Sequence, residues 1–118
     1  MKRVILDTNF LIDLARFKIG LEEVGKLLDE RHEILTISSV IGELEKMNSK
    51  NAKIALKLIE MEKINVLKTE ERSADKAILN LADRNTIVAT NDIELRKKLK
   101  KLGIKTIYLR AKKTLEMG

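Results

Sequence analysis

The chain has no cysteine, no proline and no tryptophan, and among its 118 residues there is one histidine, His32, and only 3% aromatic side chains. Each absence removes a class of chemistry or architecture. Without cysteine there are no disulfides, no thiolate zinc site and no cysteine nucleophile, and a lone histidine excludes a paired-histidine ribonuclease mechanism. With so few rings, base stacking is a poor mode of nucleic-acid recognition and contact to a phosphate backbone is the better one. No apolar run approaches the ~18 residues that a membrane span needs. The opening Met1-Lys2-Arg3-Val4-Ile5-Leu6 meets Asp7 too soon for a signal peptide, so no membrane association and a cytoplasmic location are expected. No proline, linker or repeat divides the chain, which reads as one domain over residues 1–118. Whatever chemistry it performs must use carboxylates, hydroxyls, amides and bases.

What is present is charge and apolar periodicity. A hydrophobic content of 44% suits one core that buries roughly two-thirds of the unfolded surface. The net charge of +6, from 24 basic and 18 acidic side chains, creates a field that favours a polyanion such as nucleic acid. Basic residues concentrate late, in Arg96, Lys97, Lys98, Lys100, Lys101, Lys105, Arg110, Lys112 and Lys113, and Arg96, Lys97 and Lys98 are the candidates for a nucleic-acid backbone. The competing reading is a solvated helix face in a heat-adapted protein, which 36% charged residues also fit.

Runs rich in β-branched residues predict strands at 3–6, 34–37, 64–67, 86–89 and 106–109. Helical periodicity fills the gaps, near 10–17, 21–30, 40–47, 51–62, 73–83 and 93–102. Strands alternating with helices of this length imply an α/β fold, with a mostly parallel sheet of about five strands covered on both faces.

Two acidic triplets stand directly behind apolar strands: Asp7-Thr8-Asn9 after Val4-Ile5-Leu6, and Thr90-Asn91-Asp92 after Thr86-Ile87-Val88-Ala89. Open α/β sheets bind ligands past the ends of their strands, and a sheet order 3-2-1-4-5 would bring both triplets to one crevice. The alternative is helix capping, common for Asp and Asn at such a turn. Thr8, Asn9 or Asn91 could cap instead and leave a carboxylate free. On the fifth helix, Asp75 lies at the margin of the stripe Ala74, Ala77, Ile78, Leu81 and Ala82, where it needs either the helix N-terminus or a cation as partner. Asp83 points nearly opposite that stripe and reads as solvated surface. On the third helix, Val40, Ile41, Leu44 and Met47 face inward and both Glu43 and Glu45 flank them, so that periodicity does not choose between the two.

Taken together, Val4-Ile5-Leu6-Asp7-Thr8-Asn9, Ser39-Val40-Ile41-Gly42-Glu43-Leu44, Ala74-Asp75-Lys76-Ala77-Ile78 and Val88-Ala89-Thr90-Asn91-Asp92 resemble, in order and across nearly the full length, the pattern of the PIN-domain nucleases. No single piece is specific; the combination is. The resemblance implies the 3-2-1-4-5 order, selects Glu43 over Glu45, and implies that Asp7, Glu43, Asp75 and Asp92 form a catalytic, metal-binding cluster. Such a cluster resists ionisation unless a multivalent cation neutralises it, and oxygen ligands without His or Cys select Mg²⁺ or Mn²⁺. The implied reaction is metal-assisted hydrolysis of RNA to a 5′-phosphate and a 3′-hydroxyl.

Asp7 and Asp92 are the first choices for direct metal contact, and Glu43 and Asp75 for contact directly or through water. Thr8, Asn9, Thr90 and Asn91 are candidates to orient the carboxylates or the scissile phosphate. Glu94 is an auxiliary acid or, alternatively, a favourable charge in the first turn of its helix. Asp13, on a helix surface, and His32, in a loop, are given no role. Within the family the resemblance lies nearest the ribosomal-RNA-processing nucleases, through Leu95-Arg96-Lys97-Lys98-Leu99 and Gly103-Ile104-Lys105-Thr106-Ile107-Tyr108-Leu109, with VapC-type toxins next. It implies RNA as a partner, together with a homodimer and an antitoxin or a ribosome-assembly protein. A phosphatase would want a second Asp at Asn9, and a receiver domain an Asp where Lys68 and Thr69 stand. A non-catalytic RNA-binding scaffold would be expected to have lost some of the four acids.

Overall fold

Val4, Ile5 and Leu6 are completely shielded from solvent, as a strand in the middle of a doubly covered sheet requires. In the computed structural model, which describes residues 1–118, that strand is β1 (Lys2–Leu6). It is followed by α1 (Thr8–Arg16), α2 (Glu22–Leu27), β2 (His32–Ile37), α3 (Ser38–Met47), α4 (Lys50–Met61) and β3 (Asn65–Leu67). The second half runs α5 (Ala74–Leu81), β4 (Thr86–Ala89), α6 (Ile93–Lys101), β5 (Lys105–Arg110) and β6 (Thr114–Met117).

The sheet has the order β3-β2-β1-β4-β5-β6, parallel throughout except for the antiparallel β5–β6 pair. The expected 3-2-1-4-5 order is therefore observed, with a sixth strand added at one edge. Winding reverses between β1 and β4, and this is where a crevice opens at the C-terminal ends of the strands. Register decides what meets there. Leu6 pairs with Ala89, so Asp7 and Thr90 leave the sheet side by side. Asp7 N still donates to Ala89 O at 2.9 Å and Thr90 N to Ile107 O at 2.9 Å. The buried Thr36 hydroxyl donates to Leu6 O at 2.7 Å and fixes β2 against the same strand end.

Each helix buries one stripe. Phe10, Leu11 and Leu14 of α1, Val40 and Leu44 of α3, Ala77 and Ile78 of α5, and Leu95 and Leu99 of α6 join the strands in one core. Met47, expected to face inward, is half exposed at the end of α3. His32 begins β2 and does not lie in a loop, because the β1–β2 ladder extends back to the Lys2–His32 pair. No helix is long and apolar enough to cross a membrane.

Candidate active site

A cavity of about 360 Å³ lies where β1 and β4 end, lined by Asp7, Thr8, Asn9, Ile12, Glu43, Met47, Ala74, Asp75 and Asp92. All four expected acids line it and no lysine or arginine does. Residues from four separate stretches of chain thus face one space, because the β1–β4 switch point supplies Asp7 and Asp92 while α3 and α5 close over it with Glu43 and Asp75.

Asp7 is only 5% exposed. Its Oδ1 accepts from Thr8 N at 2.8 Å and its Oδ2 from the Thr90 hydroxyl at 2.7 Å. Burial pushes its carboxyl above the ordinary value, and the neighbouring Glu43 and Asp92 push in the same direction; the two hydrogen bonds only partly offset this. Asp92 Oδ1 accepts from Glu94 N at 2.9 Å and Leu95 N at 3.2 Å, which caps α6, while its Oδ2 takes no hydrogen bond. Of the two arrangements open from the sequence, capping by Thr8, Asn9 or Asn91 is not the one observed. Asp7 and Asp92 cap α1 and α6 themselves, and a carboxylate with two oxygens can do so and still face the cavity.

Glu43 Oε1 accepts from the Thr8 hydroxyl at 2.7 Å, and its Oε2 accepts from Ala74 N at 2.8 Å. It therefore serves as the N-terminal cap of α5 from a different helix, whereas the neighbouring Ser73 hydroxyl donates to Asp75 Oδ1. Glu45 is exposed and lies outside the cavity, whereas Glu43 lines it. Ser38 and Ser39 bind Thr69, and Ser39 also donates to Glu71 O, which ties the segment leading into α5 to the start of α3.

The orienting candidates divide into two groups. Thr8 and Thr90 bind the carboxylates directly. Asn9 Oδ1 accepts from Asn91 N at 3.2 Å, and Asn91 turns its amide away from the cavity, donating to Asp13 Oδ2 at 2.8 Å and accepting from Leu109 N at 2.8 Å. Asp13, to which sequence reasoning gave no role, is thus half-buried and anchors the second triplet to α1. Ser73 was missed as well, although a hydroxyl two residues before a first-turn Asp is a readable signal. Glu94 stays outside the cavity, 3.9 Å from Lys97 on the helix surface. Asp83 is on the surface as expected, its carboxyl held below the usual range by the Thr86 hydroxyl and the Asn85 N–H.

The expected metal cluster is not preassembled. No three carboxylates stand together in metal-ligating geometry; both oxygens of Glu43 are engaged by Thr8 and Ala74, and Asp75 Oδ1 by Ser73. The donor set nonetheless fits a hard divalent ion. It is all oxygen, it holds a buried carboxylate disfavoured in its charged form, and Asp92 Oδ2 is left without a donor.

Arg96 and Lys97, candidates for a nucleic-acid backbone, line a second cavity against β5, whereas Lys98 is exposed outside it.

Comparison with known proteins agrees with this architecture. A family described as "PIN like domain" matches residues 4–112. Ribonuclease VapC4 of Methanocaldococcus jannaschii is 35% identical over 127 aligned positions, covering 99% of this chain and 97% of that protein. The PIN domain endonuclease Utp24 superposes with a TM-score of 0.84 at 28% identity, covering 98% of this chain and 90% of the other. VapBC-1 from nontypeable Haemophilus influenzae has the same fold, with a TM-score of 0.55 at 22% identity over 84% of this chain and 93% of that one.

Proposed function

The chain belongs to the PIN-like domain family, and from that premise we propose that it is a divalent-metal-dependent endoribonuclease. The observation that carries the reading is that Asp7, Glu43, Asp75 and Asp92, from four distant stretches, line one cavity free of cationic side chains. The names of two relatives, a ribonuclease and an endonuclease, support the reaction class.

Asp7 and Asp92 would hold the ion, Mg²⁺ or Mn²⁺, with Glu43 and Asp75 completing the site directly or through water. When bound, it supplies charge neutralisation and Lewis-acid polarisation at the phosphate. The chain's own residues do the rest. Thr90 and Thr8 fix the Asp7 and Glu43 carboxylates, and Asn9 with Asn91 holds the two triplets in register. Hydrolysis adds water across the phosphodiester: the oxygen joins phosphorus, the bond from phosphorus to the 3′ oxygen breaks, and that oxygen takes up a proton. The products are a 5′-phosphate and a 3′-hydroxyl.

The biological setting divides into two readings. The resemblance of the α6–β5 segment to the ribosomal-RNA-processing branch supports a processing nuclease, and structural likeness to the endonuclease Utp24 supports the cleavage such an enzyme performs. The relative named Ribonuclease VapC4 supports a ribonuclease of the VapC type, and the second reading is that this chain is such a toxin, restrained by an antitoxin. Induced expression in a bacterial host separates them, since growth arrest that Asp7→Asn relieves belongs to the toxin reading. The activity itself is tested by incubating purified protein with structured and unstructured RNA in Mn²⁺, Mg²⁺ or chelator. Scission is expected only with the divalent ion and not with Asp7→Asn, which still binds RNA. Absence of divalent-dependent scission under every condition would leave only a binding scaffold.

A further inference from the structure

The cavity against β5 has the opposite character to the acidic one. It measures about 400 Å³, and its lining includes Ile93, Arg96, Lys97, Lys100, Tyr108 and Gly118, with no acidic side chain. The guanidinium of Arg96 lies over the Tyr108 ring at 3.6 Å from its centroid, which sets the plane of the fork. Arg96 makes no ion pair, and its Nε is buried without a hydrogen-bond partner. A Cβ at Gly118 would come within 3.3 Å of Arg96 Nη2, so the fork is walled by backbone on that side. A buried donor left unmatched is costly, and a planar fork fixed over a ring suits two oxygens of one phosphate. Lys97 and Lys100, one turn of α6 apart from each other, flank it as point charges.

Placement decides which phosphate. Asp92 lines the acidic cavity and Ile93, the next residue, lines this one, so the two meet at the start of α6. Arg96 is four residues from Asp92, about 6 Å along the helix axis. We propose that the α6–β5 cavity is a phosphate subsite for the single-stranded RNA substrate, in which Arg96, held by Tyr108 and flanked by Lys97 and Lys100, binds a backbone phosphate beside the one to be cut. This rests on the endoribonuclease reading for the identity of the polyanion. It adds a defined contact set, which takes in Lys100 and leaves out Lys98 and Lys101 on the same helix.

The test is equilibrium binding of a short mixed-sequence single-stranded RNA, followed by fluorescence anisotropy in chelator over a range of salt. Each phosphate contact contributes about 0.7 to the slope of log affinity against log salt for single strands. Arg96→Met is expected to weaken binding and to flatten that slope by at most about 0.7, the whole contribution of one phosphate, and Lys100→Gln, which shares that phosphate, to flatten it by part of this amount. Lys98→Gln and Lys101→Gln, with the same charge change as Lys100→Gln, are expected to retain the wild-type slope. Lys100 is exposed, so Lys100→Gln remains informative if Arg96→Met folds poorly. Tyr108→Leu, which frees the fork, should weaken binding as Arg96→Met does. Equal slopes for Lys98→Gln and Lys100→Gln would overturn the subsite, as would failure of the wild type to bind. Because the assay excludes metal, a protein that binds with these slopes but never cuts refutes the nuclease and leaves the subsite standing.

Discussion

Replacing Thr90 by Val removes one hydroxyl from a fully buried position while nearly preserving shape. That hydroxyl donates to Asp7 Oδ2 at 2.7 Å and accepts from Asp92 N at 3.2 Å, so the valine leaves a charged acceptor and a backbone donor unmatched at once. A hydrogen bond to a charged group contributes about 1.5–3 kcal/mol, and an unmatched buried donor adds to the loss, so about 2–3 kcal/mol is expected. At roughly 2.1 cal/mol/K of unfolding entropy per residue, 118 residues give about 0.25 kcal/mol/K. The melting temperature should then fall by about 8–12 °C. The loss should also grow with pH. The Thr90 hydroxyl is one of the groups that hold the raised Asp7 carboxyl down, so the variant raises it further and makes ionisation more costly in the folded state. Thermal unfolding by circular dichroism in chelator, at intervals from pH 4 to 8, measures both effects, with Thr90→Ser as the hydroxyl-retaining control. A valine protein that melts within 2 °C of wild type, or a loss independent of pH, would refute the reasoning.

Asp7→Asn should stabilise the metal-free protein at neutral pH. A carboxyl raised in the folded state binds more protons there than in the unfolded chain, so stability falls as pH rises from the ordinary value of 3.8 through the raised one. The asparagine escapes that loss, so its advantage in melting temperature should be present at pH 7 and vanish below pH 3.8; an advantage at low pH only would contradict the assigned cause. At Asp92 the two functions separate. Asp92→Asn keeps a cap on α6 and should leave stability nearly unchanged while abolishing metal-dependent cleavage, whereas Asp92→Ala should lose cleavage and about 1 kcal/mol of stability as well. Denaturant titration beside a cleavage assay distinguishes the two, and equal stabilities for both variants would count against the cap.

The features legible in the sequence are those that repeat physically. β4 falls on the predicted residues because Thr86 to Ala89 are all buried, and the parallel order follows from strands alternating with helices. β6 was not legible. Only Leu115 of its four residues is buried, and the turn before it places Ala111 and Lys112 at φ of 53° and 60°, where Asn or Gly would have announced a hairpin. In the cavity, the duplicated Asp triplets pointed to a site, but periodicity alone left Glu43 tied with Glu45. The tie is broken by tertiary contacts to Thr8 and Ala74, at separations in sequence that no local pattern encodes. The hydrogen bonds that hold the acids apart from one another are of both kinds, tertiary and local: Glu43 takes its partners from α1 and α5, whereas Asp75 and Asp92 take theirs from Ser73 and from the first turn of α6. Asn91 carried the right residue type for an orienting role but uses it on Asp13 and β5, which only the strand register reveals.

Calorimetric titration of Mn²⁺ into the wild type, Asp7→Asn and Asp92→Asn measures most directly whether these carboxylates act as one cation site. The wild type should bind the ion, with proton release that increases as pH is lowered toward the raised Asp7 value, and each variant should bind far more weakly and lose part or all of that release. Wild-type protein that takes up no Mn²⁺, or an Asp7→Asn protein that binds it equally well, would show that the acidic cavity is not a metal site.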